Sequence, residues 1–145
     1  MLTSDANREL IALDRDLIEQ RLHAYFGLRE RGETEPLASL LAEDCVYMGS
    51  TWVGQVVAVR REGREACLDF ARRLRSIVEH EGSSLLYCVI DGDRAASARK
   101  VRLRARGTGR AGEVAICSYF RFHNGEIAEI LDLADTEAIT RLLQD

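Results

Sequence analysis

No apolar run in these 145 residues approaches bilayer-spanning length, so no membrane partner is expected. Basic residues do not dominate: 20 Lys and Arg stand against 24 Asp and Glu, and the net charge of −4 argues against nucleic acid as the main partner. Met1-Leu2-Thr3-Ser4-Asp5 lacks a basic region followed by an apolar one, so no secretory signal is expected. The cysteines, Cys45, Cys67, Cys88 and Cys117, lie far apart, without a Cys-x-x-Cys, and the histidines do not cluster. That spacing argues against zinc; each cysteine lies in an apolar pattern and reads as a small buried hydrophobe in a reducing cytoplasm. Repeats, low-complexity segments and linkers are absent, so one domain over residues 1–145 is expected, in the cytoplasm.

What is present is an ordinary globular composition, 46% hydrophobic and 30% charged, with clear periodicity. Leu10, Leu13, Leu17, Ile18, Leu22, Tyr25, Phe26 and Leu28 recur at helical spacing, with Asp5 or Asn7 as the cap and Gly32 as the stop. Thr34-Glu35-Pro36 opens a short second helix carrying Leu37, Leu40 and Leu41, which Glu43-Asp44 ends. Cys45-Val46-Tyr47-Met48 starts a strand, and Val53 to Val59 reads as another. A third helix is expected from about Arg64 to Glu79. Four strands follow: Ser84 to Ile90, Ala95 to Arg106, Glu113 to His123, and Glu126 to Ala134, with Asp135 capping a last short helix. Helices first and consecutive hairpins afterwards predict an α+β fold, a curved and mainly antiparallel sheet wrapped around the helices like a cone, leaving a cleft.

The strongest local signal is Asn124-Gly125 between alternating apolar runs, a two-residue type I′ hairpin. An unbroken ladder from that turn pairs Phe122 with Ile127, Tyr119 with Ile130 and Cys117 with Asp132. Asp132 then shares a mostly apolar face with Ala115, Cys117, Tyr119 and Arg121. Val114, Ile116, Phe120, Phe122, Leu131 and Leu133 fall on the opposite face, whose apolar character predicts a homodimer through the outer side of the sheet. On the strand from Ala95, the even positions Lys100, Arg102, Arg104 and Arg106 form a basic row that reads as a solvated face, or as one meeting phosphate or a dimer partner. The odd positions are apolar or small except Arg99. A buried guanidinium cannot shed its proton and a buried carboxylate needs a partner, so Arg99 and Asp132 are expected to pair inside one pocket.

The helix, the run Leu41-Ala42-Glu43-Asp44-Cys45-Val46-Tyr47, the Gly63-Arg64-Glu65-Ala66 helix start, and the four strands ending Phe122-His123-Asn124-Gly125-Glu126-Ile127 with Asp132 resemble the nuclear transport factor 2-like superfamily. Within it the chain is most similar to SnoaL-like and limonene-epoxide-hydrolase-like proteins, over nearly its whole length. The resemblance implies a cone-shaped α+β fold and a pocket that serves isomerases, cyclases, hydrolases and non-catalytic binders. It implies no metal or organic cofactor. It matches Asp132 to the acid/base Asp of the last strand and Arg99 to the arginine of the hydrolases' Asp–Arg–Asp triad. The second triad Asp corresponds to Val101, and the hydrolases' water-holding Tyr and Asn correspond to Tyr47 and Gly49. Tyr25 matches a helix-one tyrosine of ketosteroid isomerases, whose base and oxyanion acid fall at Gly49 and Ser118.

The expected site is therefore Asp132 and Arg99, with Tyr25, Tyr47, Trp52 and Tyr119 lining a pocket for a small, largely apolar organic molecule. His23, beside Tyr25, and His123, at the hairpin end, read as surface histidines. Two functions remain open. One is an enzyme using Asp132 for general acid/base catalysis; the other is a binding or dimerisation module in which Asp132 and Arg99 only tie strands together.

Overall fold

A computed structural model describes residues 4–50 and 58–144. Helix α1 (Ser4–Arg31) leads into a 3-10 turn (Glu35–Ser39) and strand β1 (Leu41–Ser50). Then come β2 (Ala58–Glu62), α2 (Arg64–Ile77), β3 (Val78–Asp91), β4 (Arg94–Ala105), β5 (Ala111–His123), β6 (Glu126–Ala134) and α3 (Thr136–Leu143). The strands form one open, curved sheet in the order β2-β1-β6-β5-β4-β3. Every neighbouring pair is antiparallel except β1 with β6, which run parallel. The expected α+β architecture is therefore observed.

Helix α1 ends where glycine allows it. Gly32 takes φ +69°, its N–H donates to the Arg29 carbonyl and Glu33 N–H donates to the Leu28 carbonyl, closing the last turn. Asp5 lies inside the first turn and not at a cap, because the helix already starts at Ser4. The proline-led second helix is only the 3-10 turn, and Leu41 already belongs to β1, where it pairs with Ile127. At the other end of α2 the chain passes straight into β3: Val78 is extended at φ −130° and pairs with Ala105. The polar run Glu79 to Ser83 carries no strand pattern because β3 is an edge strand, exposed to solvent from Glu81 to Val89 while His80 still faces inward. The expected strand at Val53 lies largely outside the described residues.

Asn124 and Gly125 have φ +50° and +77° and turn β5 into β6 as expected. Phe122 faces Ile127, but Arg121 then faces Glu129. The extra residue, Ala128, is a β-bulge that shifts every later pair by one. Tyr119 therefore faces Leu131, and Ser118 rather than Cys117 faces Asp132. Val114, Ile116, Phe120 and Phe122 share the face of Asp132 and are buried, so the expectation that they form an exposed outer surface is wrong.

Two apolar clusters fill the inner face. One joins α1, α2 and the 3-10 turn to β1, β5 and β6 through Leu22, Phe26, Leu37, Leu68, Phe120, Ile127 and Ile130. The other, around Val78, Val101, Leu103, Val114 and Ile116, is covered by Ile139 and Leu142 of α3. Helix α3 is capped by the Asp135 carboxylate, which accepts from Ala138 N–H at 3.1 Å. Cys45 and Cys67 are buried as expected, but Cys88 is exposed and Cys117 only half-buried, because they lie toward the edge and the outer side of the sheet.

Deleting Ala128 removes the bulge and turns Ile130 and Asp132 toward the outer face. Loss of one such buried isoleucine should lower the melting temperature by roughly 10 °C or more, or abolish a cooperative transition. Calorimetry that shows wild-type melting would mean the bulge does not set the face.

Candidate functional site

Between the two apolar clusters the inner sheet face turns polar. Register places Ser97, Ser118, Asp132 and Gly49 in one row across β4, β5, β6 and β1. The Asp132 carboxylate, half-buried, accepts from the Tyr47 hydroxyl at 2.9 Å and from the Ser118 hydroxyl at 2.6 Å. Each oxygen thus has one hydroxyl donor, which satisfies the charge and fixes the plane of the carboxylate. Tyr47 is itself buried. Burial, reinforced by the neighbouring Asp132 charge, pushes its phenol well above the ordinary range, so its proton stays in the bond.

Arg99 is on the inner face as expected, only 6% exposed, with its guanidinium carbon 4.1 Å over the Phe26 ring. The expected ion pair with Asp132 is not formed: no oxygen of Asp132 lies within 4.0 Å of an Arg99 nitrogen. The register explains it. Arg99 faces Ile116, which faces Ala134, so Asp132 lies two strands away, about 10 Å, and two residues further along. Arg99 is stacked on an aromatic face instead, and its Nε and Nη1 have no hydrogen-bond partner. Burial lowers its pKa from the ordinary arginine value, and Asp132 partly offsets this across the gap.

Arg99 and Asp132 nevertheless line one narrow cleft. Tyr25 and Tyr47 line it as expected, with Arg29 and His80 added. The Arg29 guanidinium reaches the Tyr25 hydroxyl at 3.5 Å. Burial lifts the Tyr25 phenol to about 12, against the pull of Arg29. His80 is on the inner side of β3, opposite Leu103. Burial and then Arg29, Arg99 and Arg75 press its pKa down to about 3, so the imidazole is neutral at pH 7. An adjoining cavity shares Arg29, Leu74 and His80 and adds Arg75, whose guanidinium lies against the Gly32 Cα.

Tyr119 does not belong to this site. It is 47% exposed on the outer face, on the side to which the bulge turns it. Trp52 lies outside the described residues. His23 and His123 are exposed. Asp44 does not end a helix but is an exposed residue of β1. The basic row on β4 is threaded with acids from β3: Glu81 contacts Arg102 and Arg104, and Glu79 contacts Arg106. Among the described residues no group of three or more His, Cys, Asp and Glu could hold a metal ion.

Two departures from the hydrolase pattern gain a physical form. Val101 is fully buried in the second cluster and offers no carboxylate. A Cβ at Gly49 would stand 3.0 Å from the Tyr47 hydroxyl and 3.2 Å from the Asp132 carbonyl. A water-holding side chain there would need Tyr47 or the β6 backbone to give by a few tenths of an ångström, at the cost of the direct Tyr47–Asp132 bond.

The model of the SnoaL-like domain matches residues 22–130. No curated protein sequence matches the chain. Among solved structures, an LEH-like epoxide hydrolase of M. tuberculosis superposes with TM-score 0.68 at 19% identity, covering 88% of this chain and 90% of that one. A provisionally assigned isomerase of Rhodopseudomonas palustris gives TM-score 0.75 at 21% identity, covering 84% and 94%. A provisionally assigned SnoaL-like polyketide cyclase of Jannaschia Sp. CCS1 gives 0.68 at 14%, covering 86% and 92%. At these identities the likeness is one of fold.

The depressed pKa of His80 has a testable sign. Between about 6.5 and 3 the unfolded chain takes a proton at this position that the folded chain refuses, so stability is full above pH 6.5 and falls progressively below it. Denaturant melts of wild type and His80→Gln should show the wild type losing more stability from pH 7 to pH 5. His80 resonances that titrate near 6.5 in the folded protein would contradict this.

Proposed function

Because the chain belongs to the SnoaL-like domain family of the nuclear transport factor 2-like superfamily, we propose that it is an enzyme that moves protons on a small, largely apolar organic molecule, with Asp132 as general acid/base. One observation carries the reading: a carboxylate oriented by Tyr47 and Ser118 faces the same cleft as the buried, unpartnered guanidinium of Arg99. Asp132 takes a proton from carbon beside a carbonyl. The electron pair moves onto the carbonyl oxygen, and the positive field of Arg99 and Arg29 stabilises it there. Asp132 then returns the proton at another carbon, or the enolate carbon adds to a second carbonyl of the same molecule, breaking its C=O π bond to close a ring, and Asp132 returns the proton to the alkoxide so formed. Isomerase or cyclase chemistry is favoured over epoxide hydrolysis because Val101 and Gly49 supply neither a second carboxylate nor a holder for water. The same two positions support the second reading, a non-catalytic binder.

The test is deuterium incorporation from D2O into the α-positions of a panel of small cyclic and acyclic ketones, followed by NMR. Wild-type protein should exceed buffer, and Asp132→Asn should lower the rate by about 10²- to 10⁴-fold with little change in shape. Equal rates for the two proteins would leave the binding reading.

We also propose assembly as a homodimer through the outer sheet face, keeping Leu131 and Leu133 of the expected residues and replacing the other four. Val89, Ala96, Tyr119, Leu131 and Met48 form one row across the sheet, and Tyr87, Ala98, Cys117 and Leu133 the next. Tyr87 is 71% and Val89 60% exposed, and the Arg121–Glu129 ion pair borders the patch. The free thiols fit work in the reducing cytoplasm. Light scattering should give twice the chain mass at micromolar concentration, and Tyr119→Lys with Leu133→Lys should give the monomer mass. A wild-type monomer would remove this proposal.

A further inference from the structure

The cleft holds more positive charge than the chain neutralises. Among the described residues, Arg29, Arg75 and Arg99 have no carboxylate oxygen within 4.0 Å. Arg99 is the most enclosed, with two nitrogens unpartnered, and Arg75 Nη1 is likewise buried without a partner. Guanidinium does not deprotonate in a protein, so burial cannot be relieved by losing the charge. Asp132 is the carboxylate that acts most strongly on Arg99, ahead of Glu30, but its two oxygens are engaged by Tyr47 and Ser118. His80 adds a buried Nδ1 without a partner on the same wall. All of these groups except Arg75, which lines the adjoining cavity, border the cleft in which the substrate is proposed to sit.

We infer that the substrate is an organic acid whose carboxylate docks against Arg99 and Arg29 beside His80. The inference rests on reading this cleft as the substrate site and names what enters it. Of the remaining walls, Leu74, Leu103 and Ile116 are aliphatic and suit a carbon frame. A carboxylate satisfies unpartnered N–H groups that an alcohol, ketone or epoxide oxygen satisfies only weakly, because charge-assisted bonds are the stronger ones. Arg99 thereby selects the substrate as well as stabilising charge formed from it. Docking an acid places its carbon frame toward Asp132, across the same cleft.

The test uses three probes on the full chain: benzoate, its neutral counterpart benzamide, and inorganic phosphate. Binding is read by calorimetry and by the imidazole resonances of His80. Benzoate should bind saturably and move those resonances, while benzamide should do neither. Arg99→Met should weaken benzoate by on the order of ten- to a hundredfold. Arg29→Gln should weaken it as well, and serves if Arg99→Met fails to fold. Asp132→Asn should hold benzoate as well or better, since it removes a negative charge, so failure of the catalytic reading leaves this result intact. Absence of saturable benzoate binding, equal binding of benzamide, preference for phosphate, or binding indifferent to both arginine variants would each overturn the inference.

Discussion

Ala128 is the extra residue in β6 that interrupts pairing with β5, and the face of every residue beyond it depends on that interruption. Without it, Asp132 would share a face with Cys117 and Tyr119 and look away from the core. With it, Asp132 stands beside Ser118 and under Tyr47, and Phe120 and Phe122 are core residues. Ile127 and Ala128 are both buried although adjacent, as happens where two residues oppose one. A local change of one residue in length thus decides whether the chain has an internal carboxylate at all.

The polar layer so created is built from hydroxyls on one side and guanidinium on the other, without a direct ion pair. Hydroxyl donors can satisfy a carboxylate while leaving its charge in place, and a ring face can host guanidinium without neutralising it. The opposite charges stay separated across the cleft. Such an arrangement is less self-contained than a closed salt bridge, and its field is directed into the space between.

Much of the fold was readable from residue patterns. The parity of β4 put Arg99 on the buried face, Asn124-Gly125 announced the hairpin, and Gly32 marked the end of α1, because each depends on neighbours in sequence. The bulge was not readable: Ala128 carries no glycine or proline mark, and the alternation on either side reads smoothly through it. The first half of β3 was hidden because an edge strand has no need of apolar alternation. The site was legible in Asp132, Arg99, Tyr25 and Tyr47, which break or punctuate apolar faces. Arg29 had a weaker signal, one helical turn beyond Tyr25. His80 had none, and Ser118 was reached only as the position of the ketosteroid isomerases' oxyanion acid, since their roles here arise from strands meeting across the sheet.

The parallel pairing of β1 with β6 has a consequence for how the molecule comes together. Strands β3 to β6 join by successive hairpins and can zip locally, whereas Tyr47 meets Asp132 across 85 residues of sequence. Contacts of such separation require closure of a long loop and are entropically the more demanding to form. The carboxylate therefore acquires its tyrosine partner only when the first and last parts of the chain have found each other. The same bond that orients the reactive group is thus a marker of completed folding, and a partly folded chain carries no assembled site.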